Sequence, residues 1–435
     1  MGDAFSKVKR FTFDTNFNGD VCGVKWPREL KELTFGDAFN QTVVTFAWPK
    51  SLQTLMLGHG FNQPIETVAW PSSLEDLDLG RHCFNQPIAG VKWPASLTKL
   101  NLEGSFNQAI ETIVWPGSLK EIMFGDFNHP IDRVQWPASL QHLTFLSDFE
   151  HLVGDITWPP SLHKLGLEGC FNQPINRVSW PQSLRSLTFG YRFKQSVGGV
   201  QWPASLQQLT FRSDFEHLVD DITWPPSLQK LGLEGCFNQP INHVSWPRSL
   251  LELTLGSHFN QPVTAVTWPP SLQQLNLGFE FNQPIAAVAW PPSLQQLHLG
   301  INFNQPIAAV AWPPSLQELT LGVSFDQPIA AVAWPPSLQQ LDLGYKFNHP
   351  ITRVRWPSSL LKVTFGACFD HPIAGIAWPA SLRELAFSRD FSLPSESFEW
   401  PASLEKLTIA RRPNEPLPSW PGVRVSGNWN ALWES

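Results

Sequence analysis

The chain has 435 residues, a net charge of −7 and only 15% charged residues, with 21 Trp against 2 Tyr and 40 Pro. It contains no run of about 18 apolar residues, which excludes a transmembrane helix, and its opening MGDAFSKVKRFTF lacks the apolar stretch of a secretory signal. The acidic balance argues against a nucleic-acid-binding surface.

From Trp26 to Trp420 the dipeptide Trp-Pro occurs nineteen times, almost always 22 residues apart. One unit reads LxxLxLGxxFNQPIxxVxWPxS, as in Leu272–Ser293, LQQLNLGFEFNQPIAAVAWPPS. We number its slots one to twenty-two from the first Leu. In chain order, a degenerate coil (8–29) has Val8, Phe11 and Phe13 in the Leu slots, and full units continue to Ser403. A truncated coil follows over 404–421, and 422–435 is a tail or cap. One residue is gained at Arg81-His82-Cys83 and one lost at Gly125-Asp126-Phe127, so the segment before the Phe is a loop. Residues 134–181 recur at 200–247 with five of 48 positions changed, a duplicated block.

In nearly every unit apolar residues fill slots one, four, six, ten, fourteen, seventeen and nineteen, Ser395 being an exception, and slot ten is Phe in all eighteen units. Leu-x-Leu across slots four to six has the two-residue period of a short strand. The prolines of FNQP and Trp-Pro leave no comfortable helical stretch. A unit too small to bury its own apolar face must stack on its neighbours. The expected fold is therefore a helix-poor repeat solenoid, a leucine-rich-repeat-like parallel β-solenoid or horseshoe of about 18–19 coils spanning 1–421. Asn, present in slot eleven of twelve units, is expected to form an interior amide ladder. Gly in slot seven is expected to close the strand in the left-handed region. The Trp row is expected to fill a corner of the core, its indole N–H groups bonded to carbonyls.

The unit SLxxLxLGxxFNQPIxxVxWP resembles the FNIP repeat, a 22-residue relative of the leucine-rich repeat, over roughly 8–421. The FNQPI core at Phe61–Ile65, Phe84–Ile88, Phe171–Ile175, Phe237–Ile241 and Phe281–Ile285 carries the resemblance. The slot before Pro, commonly Leu in that family, is uniformly Trp here. Many such proteins join their repeats to an F-box. Here the first coil opens by residue 8, so the resemblance implies an F-box role only beside a separate F-box partner chain.

No motif for phosphate binding, nucleophilic catalysis or metal hydrolysis is present, and the expectation is no enzyme, no cofactor and no metal site. The five cysteines, Cys22, Cys83, Cys170, Cys236 and Cys368, have no same-register neighbours and are expected reduced. His349 and His371 occupy the Gln slot of neighbouring coils, where His stands in for Gln. Variation concentrates in slots five, eight and nine. The candidate partner-binding residues are Met56, His59, Asp78, Asn101, Met123, Tyr191, Arg192, Asn276, Phe279, Glu280, His298, Ile301, Tyr345 and Lys346. The reading is a non-catalytic, monomeric, cytoplasmic protein-interaction scaffold whose partner is a protein, not nucleic acid or membrane. The alternative is a carbohydrate- or surface-binding solenoid that uses the Trp row as a platform.

Overall fold

A computed structural model of the protein describes residues 7–212, 214–387, 391, 400–409 and 423–426. Within them there are twenty strands of three or four residues and no helix, from β1 (Arg10–Thr12) to β20 (Arg424–Ser426). The chain divides into two compact units. The first contains β1 to β10 (Gln208–Phe211), and the second contains β11 (Lys230–Leu233) to β20. In each unit every strand pairs in parallel with the next in the chain, slot against slot. Thus Leu253 faces Leu275, and Leu275 faces Leu297. Part of the tail joins this pattern, because β20 pairs in parallel with the strand Lys406–Ile409. Trp420, Trp429 and Trp433 lie outside the described residues.

Each coil turns three corners. The strand ends in a turn over slots seven to nine. A second turn is closed by the slot-seventeen N–H on the slot-fourteen carbonyl, as Val288 to Ile285 at 3.2 Å. A third is closed by the next Leu on the Trp-Pro proline, as Leu294 to Pro291 at 3.1 Å. In coils that carry a second proline, such as Pro292, it takes the turn's second position, where its fixed φ presets the turn. The slot-twenty-two Ser locks it: Ser293 Oγ donates to the Leu272 carbonyl at 2.7 Å, and the same bond recurs coil after coil.

The seven apolar slots form the core, and Phe259, Leu275 and Ile285 are typical members with no or almost no exposed surface. The slot-ten rings stack face to face, as Phe281 on Phe303 and Phe303 on Phe325, each with centroids 6.2 Å apart. The first coil is looser, with Phe11 and Phe13 only half-buried and Val24 exposed.

Three local expectations are corrected. The Asn row is not interior: Asn260, Asn282 and Asn304 are half-buried and Asn107 is exposed. Each amide instead bridges to the next coil, because the FNQP segment forms an edge of the coil. Gly in slot seven has positive φ at Gly80, Gly278, Gly300, Gly322 and Gly344 but not at Gly58. What excludes a side chain at Gly58 is the Gly36 carbonyl of the preceding coil, which a Cβ would strike.

The Trp row does fill a corner, nine rings being buried and the other nine described ones half-buried. Yet sixteen indole N–H groups, from Trp48 to Trp378, are buried with no hydrogen-bond partner among the described residues. The corner carbonyls accept backbone turn bonds instead, as Pro291 does from Leu294. The rings also pack on one another. In eight pairs of neighbouring coils the Trp rings stack on one another at 5.7–6.5 Å, so the row spends its ring faces on itself.

Candidate interaction surface

Slots four and six point into the core, so the two-residue period turns slots three and five to the opposite face of the sheet. Slots eight and nine form the rim beside that face. They are held in register by a second row of backbone bonds: Asn302 N–H donates to the Phe279 carbonyl at 2.9 Å, and Ser324 N–H to that of Ile301 at 2.8 Å.

Slot five is more enclosed than its outward direction suggested, because neighbouring strands crowd it. Met56 is exposed, and Met123, Asn276 and His298 are half-buried, but Asp78 and Asn101 are buried at 7% and 6% exposure. The short polar side chains here close the turn after their own strand. Asp78 Oδ1 accepts the Gly80 N–H at 2.8 Å, Asn276 Oδ1 that of Gly278 at 2.9 Å, and Asp342 Oδ1 that of Gly344 at 2.8 Å. Asn101 Oδ1 likewise accepts the Glu103 N–H, and its amide donates to Asp78 Oδ2 at 3.0 Å. Burial pushes the Asp342 carboxyl above the usual carboxylate range, against the Gly344 N–H and Lys362, which lower it. Burial likewise holds the His298 imidazole below its usual value, opposed by Glu318.

The rim presents more. Tyr191, Phe279 and Tyr345 are exposed at 54%, 48% and 38%, Arg192 and Lys346 are exposed, and His59, Glu280 and Ile301 are half-buried. Arg212 reaches over the Tyr191 ring, 5.7 Å from its centroid, while its Nη1 pairs with Glu168 at 3.1 Å. Its counterpart in the duplicated block is Leu146, which can make neither contact.

Slot three is the row that the sequence reading passed over. It carries cross-strand pairs of opposite charge, Arg10–Glu32 at 2.8 Å, Lys99–Glu121 at 3.4 Å and Lys406–Glu384 at 3.4 Å. The signal was available, since slots three and five must share a face. These exposed pairs contribute little stability, but they favour the register and give the face a pattern of charge. Asp76, in the same slot, has its carboxyl raised by burial against the opposing pull of Lys99.

The other candidates resolve simply. His349 and His371 replace Gln: their Nε2 atoms lie 3.1 and 3.0 Å from the Asp326 and Asn348 carbonyls. A carbonyl only accepts, so each Nε2 carries the proton. Among the described residues no three metal-ligating side chains gather in one place. The five cysteines are unbridged. Two open depressions, of about 450 Å³ beside Asp132 and Leu152 and about 550 Å³ beside Trp93 and Val114, lie away from the variable slots. No described helix is long and apolar enough to cross a membrane.

The FNIP Repeat family matches the sequence at 84–127 and 171–214 and in overlapping copies from 237 to 368. Among solved structures, the chain is similar to CroV588, described as a novel circular LRR protein. The two share 32% identity at a TM-score of 0.71, with 94% of this chain and 67% of that one covered. It is also similar to TLR13, solved with ssRNA13, at 16% identity and TM-score 0.50, with 88% of this chain and 74% of that one covered. Drosophila Toll, solved with Spatzle, matches at 12% identity and TM-score 0.50, with 93% and 56% covered. At those lower identities the likeness is one of fold. No curated protein matches the chain.

Proposed function

Since the chain belongs to the FNIP-repeat family, with the parallel coils of a leucine-rich-repeat fold, we propose that it is a non-catalytic scaffold. Other proteins would dock on slots five, eight and nine. One internal comparison carries this reading. The coils 272–293 and 294–315 are identical except at Asn276/His298, Phe279/Ile301 and Glu280/Asn302, which are slots five, eight and nine. Their other exposed residues, such as Pro284, Ala286, Ala287 and Ala289, have identical counterparts.

The duplicated block provides the control. Its five changes, His142/Gln208, Leu146/Arg212, Gly154/Asp220, His163/Gln229 and Arg177/His243, scatter over slots two, three, seven, fifteen and sixteen. Undirected substitution gives that scatter. Changes confined to one face of otherwise identical coils fit the diversification of a recognition surface, the use to which solenoids put their extended faces.

The test is affinity capture with mass spectrometry on the full chain. Charge reversals in slots five, eight and nine, such as Arg192→Glu and Lys346→Glu, should strip partners. Charges introduced in slots fifteen and sixteen, such as Ala286→Glu and Ala287→Glu, should leave them bound. Partners indifferent to the first set would refute the reading.

A further inference from the structure

The slot-eight row changes character in the second unit. Early coils carry Thr15, Asp37, His59 and Arg81 there, whereas four consecutive later coils carry Phe279, Ile301, Val323 and Tyr345. Backbone bonds, ending with Lys346 N–H on the Val323 carbonyl at 2.9 Å, hold these four in step. The aromatic ends are exposed and the aliphatic middle is half-buried, so the side chains form one apolar ridge. Three steps of ~4.8 Å make it roughly 14 Å long. Such a run is costly to leave in water and marks an interaction site.

The ridge is also symmetric under reversal. Glu280 flanks Phe279 at one end and Lys346 flanks Tyr345 at the other, with the uncharged Asn302 and Ser324 between. Turning it end for end exchanges acid with base, aromatic with aromatic and β-branched with β-branched. A two-fold interface demands this property, because each residue must meet the counterpart of its own partner. His258 Nδ1 lies 2.9 Å from Glu280 Oε1 and fixes the carboxylate at the rim. Lys346 is exposed and makes no ion pair among the described residues.

We infer that this ridge is a self-association surface on which a second copy of the chain docks antiparallel. Phe279 lies against the partner's Tyr345, Glu280 against the partner's Lys346, and the two-fold axis passes between Ile301 and Val323. Slots three, five, eight and nine of the four coils amount to sixteen residues. That is fewer than the ~20–30 a side of a standard interface, so the dimer is weak, in the micromolar range. The inference rests on the docking role of slots five, eight and nine, but its test needs only the purified chain.

Sedimentation velocity over about one to a few hundred micromolar should show a monomer–dimer equilibrium. Phe279→Glu should abolish it. Glu280→Lys and Lys346→Glu, each with an unchanged circular dichroism spectrum, should each weaken it at least tenfold. An equimolar mixture of the two variants should restore it, since a chain basic at both ends then meets a chain acidic at both ends. A chain monomeric throughout, a dimer unmoved by the charge variants, or a mixture that fails to restore it would each overturn the inference. A monomeric chain that still loses its cellular partners on charge reversal would sink self-association and leave the scaffold reading standing.

Discussion

Asn282 Oδ1 accepts the backbone N–H of Asn304, one coil further along, at 2.9 Å. The same oxygen receives Gln305 Nε2 at 3.1 Å, and Gln305 also reaches the Asn282 carbonyl at 3.0 Å. One Asn-Gln pair thus satisfies the backbone at an edge where proline-rich chain cannot form a sheet ladder. The bond repeats down the row, which is why Asn and Gln dominate slots eleven and twelve.

Asn282→Ala leaves the Asn304 N–H without its acceptor and is expected to cost about 1–3 kcal/mol. Asn282→Asp keeps an oxygen in place, as Asp326 does for Asn348 at 3.0 Å, and should cost much less. Urea unfolding of the two variants provides the comparison. Equal losses would show that the oxygen is not what matters.

Phe259 is fully buried in the slot-ten stack, its ring 6.2 Å from those of Phe237 and Phe281. Phe259→Ala should destabilise the fold by ~3–5 kcal/mol. A loss below about 1 kcal/mol would contradict its place in the core.

At Gly58 a Cβ would strike the Gly36 carbonyl, whereas at Gly117 nothing lies within 4 Å. Gly58→Ala should therefore cost about 1–3 kcal/mol as forced overpacking. Gly117→Ala should be neutral or slightly stabilising, since it reduces only the freedom of the unfolded chain. Thermal melts of the pair separate close coil contact from a general intolerance of alanine.

Burial lowers the His298 pKa, so between that lowered value and the ordinary ~6.5 the unfolded chain binds more protons than the folded one. This contribution to stability is complete above the ordinary value and is lost as pH falls through that window. Melting temperatures taken from pH 7.5 downward should drop less in His298→Gln than in the parent chain, and identical slopes would refute the assignment. Asp342 works in the opposite sense. Its raised pKa costs stability as pH rises above the ordinary carboxylate value, so Asp342→Asn should stabilise the chain at neutral pH. The turn bond survives the change, as Asn276 shows with Gly278 at 2.9 Å.

The sixteen indole N–H groups from Trp48 to Trp378 are buried and have no hydrogen-bond partner among the described residues. Their fluorescence should be blue-shifted, because neither water nor a carbonyl stabilises the excited state, and soluble sugars should not quench it. Red emission or sugar quenching would place the rings at the surface.

The residues alone determined the repeat, its seven core rows, the parallel strands and the variable slots. Each of those follows from a local period: Leu-x-Leu fixes a strand and its inner face, and Trp-Pro fixes a corner. The stacking of coils decided the rest. Asn282 and Asn304 meet only because neighbouring coils lie in register, so the row sits at an edge and not within the core. Gly58 is constrained by a carbonyl 22 residues away, and Asp78 and Asn101 are covered by adjoining strands. A one-dimensional period tells which way a side chain points. What it meets there depends on the coil above and the coil below, and that contact exists only once the chain is stacked.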